Sequence, residues 1–151
     1  MLHYEILSSQ IPVSSFEKQK IVDFIFRYYE EYGYSKRNIK RTIDFALKDN
    51  SQIYPSVSHG GIIITCSNEN EIVGAIVMNK TGYEDILPAN MLMYIATHHN
   101  YRRQGIAKKM IAKARGFTSG NIATHIIQKK QNLNFFANNG FNNKVIEMRL
   151  S

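Results

Sequence analysis

An apolar stretch, Met91 to Thr97, passes through the turn Tyr101-Arg102-Arg103-Gln104-Gly105 into a basic helical segment, Ile106 to Arg115. This strand–turn–helix junction constrains the chain more than any other stretch. Ile106, Met110, Ile111 and Ala114 recur at helical spacing and give the segment one apolar face. The first amides of a helix have no intrahelical acceptors, and the helix dipole adds partial positive charge there. Gly105 removes a side chain where a ligand would approach the backbone, while Arg102 and Arg103 add full charges. The junction therefore has the chemistry of a phosphate or pyrophosphate grip.

The rest of the chain supplies elements to pack around it. His3 to Leu7 reads as a first strand. Ser14-x-x-Glu17 has the form of a capping box and opens a helix that runs to about Tyr32, with Ile21, Phe24, Ile25, Tyr28, Tyr29 and Tyr32 at helical spacing and Gly33 as its stop. A second helix covers Lys36 to Leu47, with Ile39, Ile43, Ala46 and Leu47 on one face. Asp49 to Ser58, containing Pro55, reads as a loop. A hairpin follows, Ile62–Cys66 and Ile72–Met78 around the turn Ser67 to Asn70, and Gly74 inside the return strand predicts a bulge or a close backbone approach. After the central junction come a strand over Ile122–Ile127, a helix over Gln131–Asn138 and a final strand over Val145–Leu150.

At 151 residues the chain suits one domain, 1–151, with a substantial core. Its hydrophobic fraction of 44% is ordinary, and no segment is long enough for a membrane span. Met1-Leu2-His3-Tyr4-Glu5 lacks the blocks of a signal peptide. Cys66 is the single cysteine, which excludes an intramolecular disulfide and a cysteine metal cluster. A cytoplasmic location without membrane partners is the resulting expectation. Nineteen Lys and Arg against twelve Asp and Glu give a net charge of +7. Such a surplus attracts polyanions without specifying which. Nucleic acid stays open as a partner through Lys36-Arg37, Lys40-Arg41, Arg102-Arg103, Lys108-Lys109 and Lys129-Lys130, although short basic pairs usually form solvated faces.

The spacing Arg102-x-x-Gly105-x-Ala107 resembles the acyl-CoA-binding signature of the GNAT superfamily of N-acetyltransferases. About thirty residues on, Phe135-Phe136-Ala137-Asn138-Asn139-Gly140-Phe141 is similar to that family's Phe-Tyr-x-x-x-Gly-Phe segment. The resemblance implies an α/β (α+β) fold: a mixed, mostly antiparallel sheet of about six to seven strands flanked by about four helices, splayed at its fourth strand. It also implies acetyl-CoA as co-substrate, without a metal, and direct acetyl transfer to an amine. The implied cofactor-binding residues are Arg102, Arg103, Gln104, Gly105, Ile106, Ala107 and Lys108 around the pyrophosphate. Backbone groups of Ile95, Ala96 and Thr97 would pair with the pantetheine arm, and an amide of that strand would stabilise the oxyanion.

The chain departs from the family pattern where protons move. The position of the family tyrosine, which returns a proton to the CoA sulfur, is Phe136, and no Asp or Glu lies between Met91 and Thr97. Glu84, with Asp85 beside it, is the one weak candidate for a base, in the loop before the fourth strand. His98 and His99 on a strand end would point opposite ways and lack a third ligand, so no metal site is expected. His125 reads as a packed or surface side chain in mid-strand. Tyr94 and Tyr101 carry hydroxyls, with Tyr101 expected to pack beside the turn. Cys66 reads as a buried small hydrophobe. Tyr28, Tyr29, Tyr32 and Tyr34 form either core or an aromatic acceptor wall. The acceptor is an amine on a small molecule, protein or peptide, and a homodimer is allowed. Two other functions fit the same residues: a CoA-binding regulatory protein without catalysis, and an RNA- or ribosome-associated acetyltransferase.

Overall fold

The structure is a computed structural model and describes residues 1–29, 35–48, 60–83, 86–126 and 130–151. The elements run β1 (Leu2–Leu7), α1 (Ser15–Tyr28), α2 (Lys36–Leu47), β2 (Gly61–Asn68), β3 (Glu71–Lys80), β4 (Asn90–Thr97), a 3-10 turn (His99–Tyr101), α3 (Ile106–Phe117), β5 (Ile122–Thr124) and α4 (Lys130–Asn138). One five-stranded sheet has the order β1-β2-β3-β4-β5. The first four strands pair antiparallel, and β5 lies parallel to β4. A parallel neighbour needs a crossover connection, and α3 provides it.

Both faces of the sheet are covered, which explains the unbroken apolar runs in β2 and β3. Successive side chains alternate between the faces. Ala75, Val77, Tyr94 and Ala96 join Ile21, Ile25, Ile39 and Ile43 of α1 and α2 in one core cluster. Ile76, Met78 and Leu92 join Ile106, Met110, Ala114 and Phe136 in the other. Gly74 combines the two features its sequence suggests. Cys66 pairs with Gly74 and Ser67 with Ile72, so Val73 is an extra, bulged residue. A Cβ on Gly74 would stand 2.8 Å from Ile106 Cγ2 and 3.1 Å from Met110 Cε. Glycine here lets α3 lie against the sheet.

Helix α2 has the bounds its periodicity predicts, and Ser14 and Ser35 cap α1 and α2 by accepting from Glu17 N at 3.1 Å and Asn38 N at 3.2 Å. Other expectations change. Helix α1 ends at Tyr28 rather than near Tyr32, because Tyr29 turns to extended backbone (φ −76, ψ 123) while its N–H still bonds Ile25 O at 2.8 Å. Tyr28 then packs on His98 and Tyr29 on Tyr94, contacts that outweigh continued helical periodicity. Tyr32, Gly33, Tyr34 and the loop Asp49 to Ser58 lie outside the described residues.

The strand over Ile122–Ile127 is only Ile122–Thr124, and Ile127 lies outside the described residues. No strand forms over Val145–Leu150, which lowers the strand count below the expected six to seven. Val145, Ile146, Met148 and Leu150 are each more than four-fifths exposed. An alternating pattern makes a strand only where a neighbour completes the ladder, and this segment has none. None of the described helices is long and apolar enough to cross a membrane.

Candidate functional site

The site begins where β4 and β5 part. Their ladder consists of Asn90↔Ile122, Met91↔Ala123 and Leu92↔Thr124. At the closed end, Asn90 Nδ2 donates to Ser119 O at 2.9 Å and to Asn121 O at 3.2 Å, which satisfies a side chain only 1% exposed. At the open end, Thr124 Oγ1 donates to Leu92 O at 3.0 Å and finishes the ladder. From Met93 to Thr97, β4 therefore has β3 on one side and, among the described residues, no strand on the other. That edge presents backbone donors and acceptors to any extended, amide-bearing ligand.

A bulge sits at the point of parting. Val77 pairs with Tyr94 and Met78 with Leu92, so Met93 has no partner on β3. It is 38% exposed and lines the cleft. A bulge bends its strand and re-aims one peptide group. The sequence offers no sign of it, since Met91 to Ala96 is uniformly apolar and hides the change in alternation.

The turn after β4 forms the next wall. The 3-10 turn leads to Arg103 at φ 62 and Gly105 at φ 80, both left-handed. The first intrahelical bond of α3 runs from Lys109 N to Gly105 O at 3.0 Å, leaving the Ile106, Ala107 and Lys108 amides without helical acceptors. Gly105 is the N-cap and supplies no side-chain cap, in contrast to Ser14 and Ser35. An uncapped helix start with exposed Arg102, Arg103 and Lys108 around it has the donors and the positive charge that an anion would need. Tyr101 packs beside the turn as expected, accepting from Asn68 Nδ2 at 2.8 Å.

These parts enclose a cleft of about 660 Å³. Of the residues singled out in the sequence, Ile95, Ala96, Thr97, Arg102, Arg103, Gly105, Ile106, Ala107 and Lys108 all line it. Gln104 does not; its Nε2 points back to Asn100 O at 3.5 Å. Glu84 and Asp85 lie outside the described residues. Tyr28, Tyr29 and Tyr94 line the cleft from the α1 side, so they are wall as well as core. Asn132 and Asn139 of the α4 region also line it, and neither was singled out in the sequence.

Phe136 lines the cleft, 7% exposed, between Phe135 and Phe141 at ring distances of 5.1 Å each. The physical basis of its motif is a helix stop. Gly140 is left-handed (φ 89), Phe141 N donates to Phe136 O at 3.0 Å, and Gly140 N donates to Ala137 O at 3.3 Å. This is a Schellman ending with the hydrophobic contact that accompanies it. It fixes the Phe136 ring at the cleft without giving it a proton to donate.

The histidines differ from expectation. The chain leaves the strand at Thr97 and turns, so His98 and His99 both pack on Tyr28, at 4.6 and 5.3 Å, instead of pointing apart. His98 Nδ1 accepts from Asn100 N at 3.1 Å. His125 follows β5 rather than lying within it, borders the cleft, and stands 3.3 Å from Glu147 Oε1. No grouping of three His, Cys, Asp or Glu able to hold a metal occurs among the described residues. Cys66 is fully buried, and burial pushes its thiol up from the usual range, away from nucleophilic use.

Known proteins share this architecture. An aminoglycoside acetyltransferase from an uncultured soil metagenomic sample, solved in complex with sisomicin, superposes with a TM-score of 0.63 at 14% identity, covering 99% of this chain and 95% of its own. Aminoglycoside N-acetyltransferase AAC(6')-Iy in complex with CoA gives 0.64 at 13% identity, covering 99% and 96%. A ribosomal-protein-alanine N-acetyltransferase from Brucella melitensis biovar Abortus 2308 gives 0.60 at 12% identity, covering 100% and 99%. At these identities the likeness establishes the fold. No curated protein is similar at a significant level. The acetyltransferase (GNAT) domain model matches residues 59–143, more than half of the sequence, and the chain belongs to the GNAT acetyltransferase family.

Proposed function

We propose that this acetyltransferase carries an acetyl group from acetyl-CoA directly to an amine, with 1–151 acting as one catalytic domain in the cytoplasm. The observation that carries the proposal is the uncapped start of α3 beside the edge of β4 that lies beyond the described β5 ladder. The first suits a pyrophosphate and the second suits an arm with two amides, and both open into one cleft. Amides of Arg103 to Lys108 hold the pyrophosphate, with Gln104 contributing backbone only. Arg102, Arg103 and Lys108 add charge, which solvent screens at exposed positions. Ile95, Ala96 and Thr97 pair with the arm as an added strand. The peptide re-aimed at the Met93 bulge is our assignment for the group that polarises the acetyl oxygen.

The acceptor approaches from the Tyr28, Tyr29 and Tyr94 side. A lysine-like amine costs about 4–5 kcal/mol to deprotonate at pH 7. Water or Glu84 takes that proton, and water returns one to the thiolate, because Phe136 has no hydroxyl. Proximity and orientation then supply most of the rate. Acetyl-CoA titration and CoA release across a panel of small-molecule and peptide amines test this. Absence of acetyl-CoA binding would sink it.

Phe136 favours a second function, a CoA-binding regulator that has lost catalysis. Tight acetyl-CoA binding with no CoA release from any amine would select it.

A further inference from the structure

The basic pairs Lys36-Arg37 and Lys40-Arg41 are scattered in sequence but not in space. Positions three, four and eleven residues apart return to one side of a helix. Arg37, Lys40 and Arg41 therefore form one stripe on α2, which Lys48 at the C-cap extends, opposite the buried Ile39, Ile43 and Ala46. The stripe spans roughly 16 Å at 1.5 Å per residue. All four cations are exposed, and none takes part in an ion pair among the described residues. Among the described residues of α2 the carboxylate on this face is Asp44, held by Lys18 at 3.3 Å, and Lys36 is held by Asp23 at 3.0 Å.

This arrangement does not serve helix stability. Lys36 and Arg37 occupy the first turn, where the helix dipole disfavours cations, and that turn has no acidic residue. Arg37–Arg41 and Lys36–Lys40 are like-charge pairs at the i, i+4 spacing, which also destabilise. Aromatic rings flank the stripe. Phe45, four residues beyond Arg41, is 40% exposed, and Phe26 of α1 is 50% exposed beside Lys36, whose Nζ is 5.3 Å from its ring centre. Between the two helices runs a groove of about 450 Å³ bordered by Lys18, Lys40 and Lys48. Since α2 packs on β2 and β3, this surface is distinct from the cleft at β4 and β5.

We propose that the outer face of the α1–α2 hairpin binds single-stranded nucleic acid, its cations tracking phosphates while Phe26 and Phe45 offer stacking surfaces to bases. A lipid surface would want apolar residues along the stripe, and α2 buries its apolar face in the core instead. The proposal is independent of the cofactor assignment.

The test is fluorescence anisotropy with a labelled oligouridylate of about twenty nucleotides, between about 50 and 200 mM salt. The triple variant Arg37→Gln, Lys40→Gln, Arg41→Gln should weaken binding at least about ten-fold and reduce the log–log salt slope by about 2, near 0.7 per lost phosphate contact. It should be no less stable than the parent, since it removes like-charge pairs; thermal melting checks this. Phe45→Ala should weaken binding about five-fold or more with the slope unchanged. Unchanged affinity in the folded triple variant would overturn the proposal. So would a full loss in Arg102→Gln, Arg103→Gln, which would move binding to the cleft. Equal affinity for a duplex of the same length, or binding to phosphatidylserine vesicles without binding to the oligonucleotide, would overturn it too.

Discussion

Gly105 offers the sharpest separation of what the backbone needs from what a ligand needs. Its φ of 80 is left-handed, yet a Cβ built there meets no heavy atom within 4 Å. A side chain at this position strains the backbone but clashes with nothing in the protein. The left-handed conformation costs an ordinary L-residue about 1–2 kcal/mol, so Gly105→Val should lower Tm by roughly 2–8 °C, at about 2–4 °C per kcal/mol for a chain of this length. Ligand affinity should fall much further. A hydrogen bond to a charged group is worth about 1.5–3 kcal/mol, and displacing the pyrophosphate from one or two amides of Ile106 to Lys108 removes about 2–4 kcal/mol. That corresponds to a roughly 30- to 700-fold rise in Kd for acetyl-CoA. Gly105→Asn is the companion variant, because asparagine tolerates the left-handed region. It should keep Tm near that of the parent while still obstructing the turn. Calorimetric titration with acetyl-CoA, alongside thermal melting, reads both quantities. A folded Gly105→Val protein with Kd within about two-fold of the parent would refute the idea that this turn cradles the cofactor.

Three further outcomes are expected. Gly74→Ala should destabilise by about 1–3 kcal/mol, because its Cβ would crowd Ile106 Cγ2 and Met110 Cε; denaturant unfolding measures it. Phe136→Tyr should raise turnover with a good amine by about ten-fold or more if thiolate protonation limits the rate, and an unchanged kcat would show that water already suffices. Tyr4 is pushed up to about 12, mainly by burial and then by its contact with Cys66. The folded state thus holds the phenol proton more tightly than the unfolded chain, whose value is near 10. This contribution to stability is complete below pH 10 and disappears as pH rises from about 10 to about 12. Tyr4→Phe should flatten that part of the stability–pH curve, and an identical curve would contradict the raised value.

Local chemistry made much of the molecule legible. Ser14 announces the start of α1 through its own hydroxyl, and Ile39, Ile43 and Ala46 share a face whatever they pack against. Gly105 marks the turn that opens α3. The site was legible mainly along that junction, where consecutive residues carry it, with Phe136, Tyr28 and Tyr29 as the outlying residues the sequence also pointed to. Met93 escaped because an apolar strand conceals which residue is bulged. Asn132 and Asn139 escaped because they reach the cleft through the docking of α4 rather than through any spacing to Gly105. Gln104 went the other way, lying within the motif while its side chain leaves the cleft.

Sequence alone therefore determined the cap of α1, the amphipathic faces and the basic glycine turn, since each depends on interactions within a few residues. Tertiary structure decided where strands begin and end. Tyr28 and Tyr29 stop α1 by packing on His98 and Tyr94, and Thr124 ends β5 where β4 bends away. Val145 to Leu150 forms no strand despite its apolar residues. A strand exists only with a neighbour, and neighbours are chosen by the whole fold. The cleft follows from that rule, opening where β4 loses its partner on one side.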